Sequence, residues 1–291
     1  MKKKLRFIIN PISGIGKQKI VEKIVEREIN KEIFDYDIVY TEAPKHATLL
    51  AKQAAQENID IVAVVGGDGS VNETGNGLIG SNTALAIIPA GSGNGLARHL
   101  GIPIDLSKAI KILHHIKIKK IDTVKINETS FINIAGIGFD AHVAWKFSKF
   151  GKRGFSSYIK VTIRELLKYK AQKYELTIDE KKISREAFLI CFANGSQWGN
   201  DTLIAPQANV SDGKIEIVIL KKFSFWQSPS IAFKLARKKI HTSSSVETIR
   251  GRKIFVKQQN SIAHIDGEPM EFGKEIAIEV NPLSLNIVIP A

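Results

Sequence analysis

Apolar residues change period repeatedly along this chain, and the changes mark out its elements. "LRFIIN" (5–10) is an apolar run closed by the turn pair Asn10-Pro11. "KQKIVEKIVEREI" (17–29) then places Ile20, Val21, Ile24, Val25 and Ile29 on one helical face. "DYDIVYT" (35–41) predicts a second strand and "HATLLAKQAAQEN" (46–58) a second helix. "DIVAVVGG" (60–67) is apolar at every position from Ile61 to Val65, and "TALAIIPAG" (83–91) repeats that texture before a helix over "LSKAIKILHH" (106–115). Unbroken apolar strands suit a parallel sheet covered on both faces. Strand and helix in alternation predict a doubly wound, mostly parallel α/β domain.

Past Ile116 the pattern shortens. "KIKKIDTVKIN", "TSFINIAGIGF", "KYELTIDEKKI", "EAFLICFANG", "GKIEIVILKK", "RKIFVKQ", "IAHIDGE", "KEIAIEV" and "LNIVIP" are strand-like pieces separated by turn signals. Two helical stretches, near 155–170 and 225–240, interrupt them. This predicts an antiparallel, β-sandwich-like second domain. The expected division is 1–122 and 123–282, with 283–291 returning to the first domain.

Composition narrows the function classes. With 44% hydrophobic and 24% charged residues, the 291-residue chain reads as globular, and no apolar run approaches the roughly 18–20 residues of a membrane span. The single cysteine, Cys191, lies in an apolar run, so a buried thiol and a reducing, cytoplasmic setting are expected. Lys and Arg outnumber Asp and Glu by 42 to 29, a formal net charge of +13. That favours anionic partners. No nucleic-acid-binding signature or zinc-ligand spacing accompanies the charge, so an acidic membrane surface is the expected docking partner. Trp145, Phe147, Phe150 and Phe155, interleaved with Lys146, Lys149, Lys152 and Arg153, are candidates for that contact, with core packing as the alternative. The histidines show no metal-ligand spacing, and most are expected at surface or capping positions.

Three glycine segments follow expected strands: "NPISGIGK" after the first, "GGDGSVNE" after the third and "PAGSGNGLAR" after the fourth. Glycines allow backbone amides to approach phosphate oxygens, and the carboxyl edge of such a sheet is where ligands bind. Ser13, Ser70 and Ser92 add hydroxyl donors. Neither a Walker A string nor a complete G-x-G-x-x-G occurs, because Leu96 stands where the third glycine would be. Asp68, among glycines, would repel a polyphosphate unless a cation intervened, so it reads as a ligand or organiser of a Mg²⁺–nucleotide complex. The simpler reading is a cap on a helix beginning near Val71.

Taken together, "NPISG", "GGDGSVNE" and "PAGSGN", followed by "FINIAGIGFDA" (131–141), "SDGKIEIVIL" (211–220) and "HIDGEP" (264–269), resemble the diacylglycerol kinase catalytic-domain family over essentially the whole chain. That superfamily includes sphingosine and ceramide kinases. The resemblance implies transfer of the γ-phosphate of ATP to a lipid alcohol such as diacylglycerol, at the inner membrane surface, by a peripheral enzyme, with homodimerisation an open expectation. It implies a nucleotide site from Asn10, Ser13, Gly14, Thr41, Gly66, Gly67, Asp68, Gly69, Ser70, Asn72, Glu73, Gly91, Ser92, Gly93 and Asn94, with Glu73 towards the ribose or base. It further implies structural magnesium on the Asp212 carboxylate and the Asn209 and Lys214 carbonyls, with Asp122 joined through water. In "IDGE", Asp266 or Glu268 is the implied base, and two positions apart on a strand they would face the same way. Gly95 departs from the bacterial pattern and brings "GSGNGLA" closer to sphingosine-type members, for which Asp140 is the candidate acid near an amine. GGDG alone also admits NAD kinases.

Overall fold

The structure, a computed structural model, describes residues 2–11, 18–149, 155–166 and 168–291, leaving aside the side chains of 18, 19, 155–159 and 225. It divides into two compact units, Met1–Thr123 with Pro282–Ala291, and Val124–Asn281.

The first unit follows the alternating pattern: β1 (Lys3–Ile9), α1 (Gln18–Glu28), β2 (Phe34–Tyr40), α2 (His46–Gln56), β3 (Ile61–Gly66), α3 (Asp68–Leu78), β4 (Ala84–Pro89), α4 (Gly95–His99) and α5 (Leu106–Lys111). The strands lie in the order β2-β1-β3-β4, all parallel. β3 and β4 are buried at every position, as expected of strands with no polar period. Helix α1 packs with α5 and α2 with α3. Two features were not legible. Helix α3 starts at Asp68 rather than near Val71, and α4 has only five residues, too few to show a period.

The second unit contains the end of β5 (Lys117–Ile126), then β6 (Thr129–Phe131), β7 (Ile134–Gly138), α6 (Phe139–Ser148), α7 (Phe155–Leu166), β8 (Gln172–Ile178), β9 (Lys181–Ala193), the short pair β10 (Gln197–Gly199) and β11 (Thr202–Leu203), and β12 (Ile215–Lys221). There follow α8 (Ser228–Ala236), β13 (Val246–Gly251), β14 (Lys253–Lys257), β15 (Ile262–Ile265), β16 (Glu268–Glu271) and β17 (Glu275–Ile289), whose last residues belong to the first unit. Pairing within this unit is antiparallel, forming a β-sandwich. Strand β9 pairs with β8 along its first half and with β7 and β12 along its second. Alternation decides which side chains turn inward: Ile276, Ile278 and Val280 of β17 meet Ile254 and Val256 of β14 in one core. A second core joins Phe188, Cys191 and Val218 to Val143 of α6, Val161 of α7, and Ile231 and Leu235 of α8.

Helix α6 corrects the expected strand-and-turn reading of this stretch. Phe139, Val143 and Phe147 recur every fourth residue and lie against the second core, and Gly138, at φ 95, turns the chain from β7 into the helix. Phe147 is therefore core packing rather than an interfacial residue, while Phe150, Lys152, Arg153 and the Phe155 side chain lie outside the described residues. Among the described residues no helix is long and apolar enough to cross a membrane.

One ion-pair cluster gives the second unit an acid limit. Glu247 of β13 accepts from Arg185 of β9 at 2.8 Å and Lys221 of β12 at 3.2 Å. Hydrogen bonding to Arg185 first, against a cost of burial, brings its carboxyl down to about 2. A depressed carboxylate stabilises the fold above its ordinary value of 4.5, and that contribution is lost as pH falls towards 2. Glu247→Gln is accordingly expected to flatten the acid limb of melting temperature against pH; an unchanged limb would place the effect elsewhere.

Candidate functional site

In the first unit, β1, β3 and β4 end at Ile9, Gly66 and Pro89, and the glycine segments begin immediately beyond. From β1 the chain steps outward to β2 and then returns to the other side of β1 for β3. The gap between β1 and β3 is thus the switch point at which doubly wound sheets bind ligands. Asn10 spans that gap: its side chain donates to Ser70 Oγ at 3.0 Å and its amide to the Val65 carbonyl at 3.2 Å. The buried Thr41, at the end of β2, donates its amide to Ile9 at 3.0 Å. Ser13 and Gly14 fall outside the described residues.

Asp68 is the first residue of α3, whose first-turn amides lack intrahelical acceptors and attract anions. Its own carboxylate turns to the next loop. Oδ2 accepts the Asn94 amide at 2.7 Å and Oδ1 the Gly95 amide at 2.6 Å. Asp68 therefore caps α4, a helix that the sequence reading did not contain, and not the helix on which it sits. Burial pushes the Asp68 carboxyl up, while the Gly95 and Asn94 amides pull it back. Asn94, left-handed at φ 53, completes the loop: its Oδ1 accepts from the Gly91 amide at 3.1 Å and its Nδ2 donates to the Gly91 carbonyl at 2.8 Å. Gly67 and Gly91 meet backbone to backbone, so a Cβ on Gly91 would run into Gly67 Cα. Here the glycines bring two loops into contact.

The remaining loop residues occupy the same edge. Gly66 ends β3, Gly69 and the buried Ser70 lie in the first turn of α3, and Ser92 is exposed. The Gly93 carbonyl accepts from Arg98 Nε at 3.2 Å. Asn72 accepts from Asn76 Nδ2 within α3, through its carbonyl at 2.8 Å and its side chain at 3.2 Å. Glu73 faces α2, with Oε1 accepting the Lys45 amide at 2.9 Å and its carbonyl accepting from Thr48 at 2.8 Å.

In the second unit, Asp266 and Gly267 form the two-residue turn between β15 and β16, at φ 48 and 84, the conformation that Asp-Gly favours in a tight hairpin. The shared strand face expected for Asp266 and Glu268 is thereby corrected. Asp266 is the turn, and Glu268 begins β16, exposed. Asp266 docks on β7, donating its amide to the Ile134 carbonyl and accepting the Ile134 amide at Oδ1, both at 2.8 Å.

Beneath this hairpin lies a pair of buried side chains. Asp140 Oδ1 accepts the amide of Ala141 at 2.8 Å in the first turn of α6, and Oδ2 lies 3.0 Å from His264 Nε2. The His264 Nδ1 accepts from the Gly267 amide at 3.4 Å, which leaves the ring proton on Nε2, donated to Asp140. Gly136 makes room, because any Cβ there would strike the Asp140 carboxylate and His264 Nε2. His264 is buried, an exception to the surface or capping positions expected of most histidines; the available signal was its place two residues before Asp266. His264→Ala should cost about 1–3 kcal/mol of stability by depriving a buried carboxylate of a donor, read as a lower denaturation midpoint. An unchanged midpoint would argue against the pair's structural weight.

The implied magnesium segment folds as a tight loop. Asn209 Oδ1 accepts from Ser211 N and Oγ at 3.1 and 3.0 Å, and Asp212 Oδ1 accepts the Lys214 amide at 3.2 Å. The Asp212 carboxylate is also paired with Arg250. Arg250 stands opposite Glu216 in the β12–β13 register, and Glu216 is buried with Oε1 lacking any hydrogen-bond partner. Burial raises the Glu216 carboxyl, with Arg250 lowering it and Asp212 raising it further. Arg250 thus pairs with Asp212 and acts on Glu216 only through its charge, and the orphaned oxygen and hard oxygen donors fit a small divalent cation. Among the described residues no three His, Cys, Asp or Glu side chains gather as a ready ligand set. Asp122, fully buried in the first unit, accepts the Leu283 amide at 2.7 Å.

The architecture is a parallel α/β unit with glycine loops at its switch point, followed along the chain by an antiparallel β-sandwich unit. Residues 4–126 match the diacylglycerol kinase catalytic domain, and residues 133–289 match the YegS C-terminal NAD kinase beta sandwich-like domain. The chain belongs to the diacylglycerol kinase family. A diacylglycerol kinase of Staphylococcus aureus is 30% identical over 229 residues, 76% of this chain and 72% of the relative. One from Staphylococcus saprophyticus is 29% identical over 76% of this chain and 74% of its own length. A crystal structure of a provisionally named diacylglycerol kinase from Bacillus anthracis superposes with a TM-score of 0.82 at 25% identity, covering 99% of this chain and 97% of that one.

Proposed function

We propose that this protein transfers the γ-phosphate of ATP to the hydroxyl of a membrane lipid, diacylglycerol being the favoured acceptor, while bound peripherally at the inner, cytoplasmic membrane surface. The observation that carries the reading is the Asp68 clamp, which fixes two glycine loops beside the start of α3. Phosphoryl transfer depends on positioning and charge stabilisation, and pre-set amides supply both for the triphosphate. In this reading Asn10, Thr41, Gly66 to Ser70, Asn72, Glu73 and Gly91 to Asn94 form the nucleotide edge, with Ser13 and Gly14 as further members.

Glu268 serves as the base. Its carboxylate is exposed, whereas one oxygen of Asp266 is engaged with the Ile134 amide, which suits Asp266 to holding the turn. The acceptor hydroxyl oxygen forms the new bond to the γ-phosphorus as the bridging bond to the β-phosphate breaks. The hydroxyl proton passes to Glu268, and ADP leaves with the bridging oxygen. Asp212, Glu216 and the Asn209 and Lys214 carbonyls would hold magnesium in the second unit, and at the nucleotide the ion would supply charge to offset the phosphates. Asp140, buried against His264, is a positioning residue in this scheme; that burial weighs against an amine-bearing acceptor.

The test is label transfer from γ-labelled ATP by the purified protein, offered diacylglycerol vesicles, a long-chain base and NAD in parallel. Label in a lipid phosphate ester is expected; label in NAD, or in no acceptor, overturns the reading. The cation is tested separately by melting. Magnesium should raise the melting temperature of the wild type and not of Asp212→Asn. Equal responses in both proteins would remove Asp212 from the site.

A further inference from the structure

The segment 221–241 leaves the second unit with an unusual outer face. It carries Lys221, Lys222, Lys234, Arg237, Lys238 and Lys239 and no acidic residue. Lys221, Lys222 and Lys238 reach acids elsewhere in the unit, Glu247, Glu186 and Asp201. Among the described residues Lys234, Arg237 and Lys239 have no carboxylate paired with them; Lys234 Nζ donates to the Thr242 carbonyl at 3.1 Å.

Helix α8 buries Ile231 and Leu235 partly against the second core, which accounts for its inner side. Its outer side is also apolar. Trp226 is 85% exposed and Phe233 61%, and they are the only exposed Trp or Phe among the described residues. A helical turn formed by Phe225–Gln227 leads directly into α8, so positions 226, 229–230, 233 and 237 fall on one face. The Arg237 guanidinium lies 5.2 Å from the centroid of the Phe233 ring, confirming that neighbourhood. Core packing cannot explain two large aromatic rings held out in water within a segment of wholly positive charge.

We propose that the outer face of α8, with Trp226 and Phe233 as apolar anchors and Lys234, Arg237 and Lys239 beside them, docks this protein on an anionic lipid bilayer. The inference rests on the lipid-kinase reading for its purpose, since the acceptor resides in that bilayer. The physics is independent: indole and phenyl rings partition to the headgroup boundary, and basic side chains are drawn to an acidic surface.

Co-sedimentation with vesicles of phosphatidylglycerol and phosphatidylcholine tests the face. The full-length wild type should sediment with them and remain in solution with phosphatidylcholine alone. Trp226→Ser with Phe233→Ser should weaken vesicle binding about tenfold or more, a loss of at least 1.4 kcal/mol. Both sites are exposed, so the melting temperature should stay at the wild-type value. Activity on vesicle-borne diacylglycerol should fall with binding, while activity on a dispersed short-chain diacylglycerol should be retained. Undiminished vesicle binding by the double variant overturns the proposal. So does a change from dimer to monomer on sedimentation analysis, which would assign the face to a second copy. If binding depends on Trp226 and Phe233 but no lipid is phosphorylated, the docking face stands and the kinase reading fails.

Discussion

Asp68→Asn is expected to reduce phosphoryl transfer on the order of 100-fold and to lower the melting temperature, while leaving the fold recognisable. The carboxylate offers an oxygen to each of two amides, Asn94 and Gly95, at 2.7 and 2.6 Å. A carboxamide offers only one; its NH₂ would face the other N–H, donor against donor. Losing one hydrogen bond to a charged acceptor costs about 1.5–3 kcal/mol, and the loop relaxes at the proposed nucleotide edge. Asn94 would release Gly91 as it moves, because the same residue holds that loop by its side chain. ATP affinity and turnover should fall together. A variant with near-normal turnover would sink both the clamp and the nucleotide edge built on it.

Glu268→Gln should separate chemistry from folding more cleanly. The residue is exposed at the start of β16, so its amide isostere should melt with the wild type. Turnover should drop about 10²–10⁴-fold if Glu268 takes the acceptor proton, with ATP binding unchanged. Asp266→Asn offers the contrast. Its side-chain oxygen can still accept the Ile134 amide, so a milder loss is expected there. The reverse ranking, with Asp266→Asn the deeper loss, would make Asp266 the base. Steady-state rates on vesicle substrate, paired with ATP binding by fluorescence, decide between them.

Much of the fold was legible because burial imposes its period on the sequence. Ile61 to Val65 had to be covered on both faces, and they are. Strand β17 was equally plain, since Ile276, Ile278 and Val280 alternate with the exposed Glu275, Ala277 and Glu279. Helices α4 and α6 were harder to see. The first is too short to carry a period, and its N-terminus is capped by a residue 26 positions away in the chain. The second hides behind "GIGF", whose glycines read as turn or strand until Phe139, Val143 and Phe147 are seen against one core. Basic and aromatic residues alternate near Trp145, which marked that stretch as a candidate lipid contact. Exposure depends on which side of a helix meets the core, and it is Trp226 and Phe233 that the fold leaves exposed.

The sequence by itself determined the two-unit plan, the glycine edge and the residue types available for phosphoryl transfer, because periodicity, turn chemistry and motif spacing are local properties of the chain. Only the tertiary structure decided what those residues hold. Asp68 binds two amides of a distant loop, Asp266 becomes the turn that presents Glu268, Asp140 meets His264 across 124 positions, and Asp212 pairs with Arg250 of another strand. A carboxylate takes whichever donors the packed backbone brings within about 3 Å, and long-range sheet register, absent from any local pattern, fixes that choice.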